Sequence, residues 1–77
     1  MTDAQTIRYA TDPNRMAAAE RLLKAKRRIE ELAPLPIQTV LTYMPQALKD
    51  LLDAYEALTI AEAQAELKAR KEEAHED

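Results

Sequence analysis

A chain of 77 residues suffices for one small domain but buries too little surface for a large core, so a staple or a partner is expected. It has no cysteine, which excludes a disulfide staple, thiolate metal sites and thiol nucleophiles and fits a reducing, cytoplasmic setting. A formal net charge of -3 excludes polyanion mimicry and nucleic-acid binding by the molecule as a whole.

Glycine, serine, phenylalanine and tryptophan are also missing, while alanine, leucine, glutamate, lysine and arginine dominate. These are strong helix formers, and they point to an all-α fold. No run of about 18 apolar residues could span a membrane, and the opening "MTDAQTIRYATD" lacks the apolar core of a signal peptide. The chain reads as soluble and unprocessed.

Residues 1–12 show no helical periodicity, although Ile7 and Tyr9 would share one side of an extended segment, and they read as a disordered or docking arm. Asp12 followed by Pro13 is a helix start: the carboxylate can accept from free first-turn amides, and proline gives up a hydrogen bond that the first turn lacks anyway. Helix 1 is expected over 13–33. Its seam is Ala18, Leu22, Ala25, Ile29 and Leu32, spaced four and three in alternation. Glu20 with Lys24, Lys26 with Glu30 and Arg27 with Glu31 are expected to pair across one turn. Pro34 and Pro36 in "APLP" then form a stiff elbow.

The most regular pattern follows. Ile37, Leu41, Met44, Leu48, Leu51, Tyr55 and Leu58 repeat at four and three, broadened by Val40, Ala47 and Leu52, with polar residues opposite. This predicts helix 2 over 36–58, bent near Pro45, whose missing amide removes the bond to the Leu41 carbonyl. Thr42 could instead cap a fresh helix start there. At Leu58 the phase breaks: Ile60, Ala63, Leu67 and Ala74 lie about 110° further around the helix. Thr59 and Glu62 fit a capping box, so helix 3 is expected over 60–74, or one long helix shows two faces. Glu66 and Arg70 are a further pair. Residues 13–75 would form a single helical domain ending in the acidic 76–77.

The chain lacks the parts of common catalytic sites. Hydrolytic triads need a serine or cysteine near a histidine, and only His75 is present. A phosphate loop needs glycine. Glu72 and His75 match the Glu-x-x-His pairing of di-iron bundles, but the further carboxylates and second copy such a site needs are not apparent, so an incidental helix end is the plainer reading. No catalytic, cofactor or metal residues are assigned, and the chain is read as no enzyme.

Two surfaces remain. From Arg15 to Arg28 six bases (Arg15, Arg21, Lys24, Lys26, Arg27, Arg28) face one acid, Glu20. Arg21, Lys24, Arg27 and Arg28 could contact nucleic-acid phosphates, but with no aromatic residue in the stretch for stacking they read first as solvated or paired with Asp50, Asp53 and Glu56 across a hairpin. The apolar stripe could pack on helix 1, yet a two-helix hairpin leaves much of so broad a stripe exposed, which points to a partner. Ile37, Leu41, Met44, Leu48, Leu51, Tyr55 and Leu58 are the expected interface. Tyr43, Ile7 and Tyr9 would be aromatic and apolar anchors. Tyr55 is expected in the core with its hydroxyl at the edge.

The expectation is an all-α helical hairpin or three-helix unit that completes its core by oligomerising. It would act as a non-enzymatic protein–protein interaction module: an assembly or scaffolding subunit, an adaptor or an inhibitor. Its partner would be a second copy first and a larger protein second. The alternative is a nucleic-acid-associated protein using the basic face of helix 1.

Overall fold

In the computed structural model, residues 2–76 are described along the backbone and residues 2–71 in their side chains. The chain is all-α: α1 Asp3–Ala10, α2 Pro13–Leu32 and α3 Ile37–Glu76. Among the described residues there is no strand, and no helix is long and apolar enough to cross a membrane.

Residues 3–10 form a helix, where a disordered or docking arm without helical periodicity was expected. The cause is a capping box: Thr2 Oγ1 accepts from the Gln5 amide at 3.2 Å, and Gln5 Oε1 accepts from the Thr2 amide at 2.9 Å. Helix α2 starts as Asp12 and Pro13 indicate. Asp12 Oδ1 accepts from the Arg15 amide at 2.9 Å, and the proline occupies the first turn. Ala33–Pro36 carries the chain from α2 to α3, with the Leu35 amide donating to the Leu32 carbonyl. The Pro36 carbonyl then accepts from the Thr39 and Val40 amides and opens α3.

Helix α3 runs unbroken for 40 residues, which is the continuous-helix alternative and not the two helices at 36–58 and 60–74. Thr59 caps nothing: its hydroxyl donates back to the Tyr55 carbonyl at 3.0 Å. Thr42 does the same to Gln38 at 2.8 Å. Pro45 lies inside the helix. The molecule measures 60 × 16 × 16 Å between Cα extremes, and a straight helix of this length spans about 60 Å at about 1.5 Å per residue. A sharp kink would widen the rod, so any bend at Pro45 is slight.

The rod is two helices thick. Helix α2 packs on the first half of α3, and α1 packs on the second half. The seam of α2 faces α3 as expected, with Ala18, Leu22, Ala25, Ile29 and Leu32 all half-buried. The surface that α3 returns is different from the expected one. Its fully buried side chains are Ala47, Ala54, Ala61, Ala65 and Ala69, with Val40, Met44, Leu51 and Leu58 half-buried between them. These positions keep a spacing of three or four from 40 to 69, straight through the phase break of the larger residues. Alanine lets the two backbones approach closely, so helix packing selects the alanine seam and turns the leucine stripe outward.

A candidate partner-binding surface

The outward stripe lies about 100° around α3 from the alanine seam, by the 100° step per residue. Ile37, Leu41, Leu48 and Tyr55 are exposed, as is Leu52 beside them, while Met44, Leu51 and Leu58 sit half-buried on the margin shared with the seam. Leu41 is 64% and Leu52 68% exposed. Tyr55 was expected in the core and is 63% exposed. Tyr43 and Ile7 are also exposed.

Helix α2 adds to this surface. Counting around both antiparallel helices from their common seam, Leu23 and Ala19 of α2 come to the same side as the α3 stripe, with Met16 at its edge and the exposed Lys26–Glu30 pair on the same side nearer the turn. Leu23 and Met16 are both exposed. Past Tyr55 this side of α3 turns polar: Glu66 and Arg70 occupy it and pair at 2.7 Å. On this side of α3 the apolar residues therefore stop within the half of the rod that contains the turn at 33–36, while Ile7, Ile60 and Leu67 of the other half are exposed elsewhere.

Tyr9 plays another part. It is half-buried, its hydroxyl donates to Glu62 Oε2 at 2.6 Å, and the Arg15 guanidinium lies 4.6 Å from its ring centroid. One side chain thus joins α1, α2 and α3. Arg15 Nε is buried without a hydrogen-bond partner, and the ring face beside the guanidinium is its nearest compensation.

Three of the basic residues, Arg21, Lys24 and Arg28, lie on the opposite side of the rod, while Arg27 lies on the outer edge of α2 and shares a concavity with Leu23. Arg21, Lys24 and Arg28 ring a shallow concavity with Asp50, and Lys24, Arg27 and Arg28 border another near the turn with Glu31 and Leu35. Among the described residues, none of Arg21, Lys24, Arg27 or Arg28 forms an ion pair or hydrogen bond, so the expected pairing with Asp50, Asp53 and Glu56 is not made. Asp50 accepts from Gln46 instead. Of the expected pairs along α2, Lys26 and Glu30 meet at 3.9 Å.

Among the described residues no group of three or more His, Cys, Asp or Glu is placed to hold a metal ion. Glu72, His75 and the acidic end 76–77 lie outside the described side chains.

Sequence reasoning missed α1 and the alanine seam. The signal for α1 was Thr2-x-x-Gln5. The signal for the seam was the alanine series, which carries little weight in a pattern scored by large apolar residues.

No family model matches the chain, and neither a curated protein nor a solved structure matches it.

Proposed function

We propose that this protein is a non-enzymatic protein-interaction module that completes its core by associating with a second copy through the outward stripe of α3. One observation carries the reading: among the described residues the buried apolar side chains are five alanines, while twelve large apolar side chains are exposed. Each buried alanine methyl contributes only about 0.8 kcal/mol, whereas a leucine moved from water to a full interior contributes about 1.5–3 kcal/mol. A lone hairpin keeps most of its apolar residues in water, and an exposed patch of this extent marks an interaction surface. A closed homo-oligomer is the common way to cover one.

In this reading Pro34 and Pro36 act as a stiff elbow that fixes the hairpin and so presents one broad face. The cysteine-free chain suits a reducing cytoplasm. Scaffolding, adaptor and inhibitor roles all use such a face. Thermal melts over a hundredfold range of protein concentration test the reading. The melting temperature is expected to rise with concentration, and Leu41→Glu with Leu48→Glu is expected to abolish that dependence.

A second reading is favoured by four cations of α2 that have no ion-pair partner among the described residues. Arg21, Lys24 and Arg28, on the side away from the stripe, and Arg27 at the outer edge of α2 could meet nucleic-acid phosphates. Titration with DNA and RNA at low and high salt tests it. Absence of salt-sensitive binding at micromolar protein disposes of it.

A further inference from the structure

We infer that the second copy docks antiparallel and half-overlapped, with the two-fold axis passing α3 near Gln46, so that the acidic halves of the two rods project in opposite directions. The inference rests on the self-association reading above and adds its geometry.

Three observations lead to it. On the side that carries the stripe, the apolar residues of α3 end at Tyr55 and give way to the Glu66–Arg70 pair, while Ile60 and Leu67 are exposed on another side of the helix, so apolar contact along the stripe joins the turn-containing halves of two copies. Within that half the stripe is spaced four, three, four, three, four from Ile37 to Tyr55. This series reads the same from either end. Run antiparallel against itself about a point near Gln46, it brings Ile37 to the second copy's Tyr55, Leu41 to its Leu51 and Met44 to its Leu48, the reciprocal pairing that a two-fold interface demands.

Charge decides the direction. Residues 60–77 hold six acids and three bases, two of the acids and all three bases falling in 60–71 and four acids in 72–77. A parallel dimer would run these two net-acidic segments side by side, while the antiparallel arrangement separates them by the length of the overlap. The residues of α3 from Ile37 to Tyr55 contain only Lys49, Asp50 and Asp53 as charges, and the charges of α2 on the same side, Lys26 and Glu30, pair with each other, so little net charge opposes close approach there.

The overlap from Ile37 to Tyr55 is about 27 Å long at about 1.5 Å per residue. With Leu23 and Met16 of α2 widening it to two helices, it would bury roughly 1,000–1,200 Å² in total, the lower end of specific interfaces. The expected dimer therefore dissociates on dilution.

The absence of native cysteine allows single spin labels. Lys49→Cys and Ala63→Cys are both at exposed positions, and each labelled protein is measured by pulsed electron double resonance after sedimentation has established its mass. The proposal expects a short distance at position 49, about 20 Å, and a long one at position 63, about 50 Å or more, since the axial offset from the axis grows at about 1.5 Å per residue. A dimer with similar short distances at both positions is parallel and overturns the geometry alone. A dimer whose distance at 63 is shorter than at 49 places the axis in the other half and does the same. Protein that stays monomeric throughout overturns both the geometry and the self-association reading.

Discussion

The Tyr9 hydroxyl donates to the Glu62 carboxylate at 2.6 Å across 53 residues of sequence. It is a specific polar tie holding α1 against α3, and the Arg15 guanidinium over the same ring extends it to α2. An N-terminal segment that reads in sequence as a disordered or docking arm is thereby part of the rod.

Removing the hydroxyl with Tyr9→Phe should release α1 before the rest of the hairpin. A hydrogen bond to a charged group contributes about 1.5–3 kcal/mol, and partial exposure here puts the expected loss near about 1 kcal/mol. Amide hydrogen exchange checks it: protection of residues 4–10 should fall, while that of α2 and the first half of α3 stays as in the parent chain.

Ala54 is fully buried, and Leu52 two positions earlier is among the most exposed side chains. Ala54→Leu should destabilise the fold although it adds apolar surface, because overpacking a close helix contact costs about 1–3 kcal/mol. Leu52→Ala should leave the dilute hairpin's melting temperature nearly unchanged and weaken its association. Chemical denaturation at low and high protein concentration separates the two effects.

Pro45 sits within a continuous helix and leaves the Leu41 carbonyl without its usual donor four residues on. Pro45→Ala should raise helicity and stability. The full propensity difference is about 3 kcal/mol in a helix interior, and because the helix already accommodates the ring with little bend, a gain of about 1–2 kcal/mol is expected. Far-ultraviolet circular dichroism with urea titration measures it.

If the basic side binds nucleic acid, three or four phosphates would be contacted. The logarithm of the binding constant would then fall with the logarithm of salt concentration at a slope of about -3 to -4 on duplex DNA. Replacing Arg21 and Arg28 with alanine should lower that slope by about two, as fluorescence anisotropy at several salt concentrations would show.

The helical class, the start of α2 at Asp12–Pro13 and the inward seam of α2 were all legible, because caps and periodicity are local properties of the chain. Which side of α3 faces α2 was not. Two registers of apolar residues run along that helix, one of leucine and tyrosine and one of alanine. Hydrophobic weight favours the first, but the packing distance between two helices favours the second. Thr59 misled for a related reason. A threonine three residues before a glutamate has the pattern of a cap, yet in a run without glycine or proline the helix continues and the hydroxyl turns back to the Tyr55 carbonyl. The stripe was legible as a residue set, and of its members Tyr55, expected in the core, is exposed.

Sedimentation equilibrium of the unmodified chain over a wide concentration range tests the central claim most directly. The account predicts a mass that rises from 8.7 kDa in dilute solution towards twice that value as concentration increases. A mass that stays at one chain throughout, with a melting temperature indifferent to dilution, would contradict it.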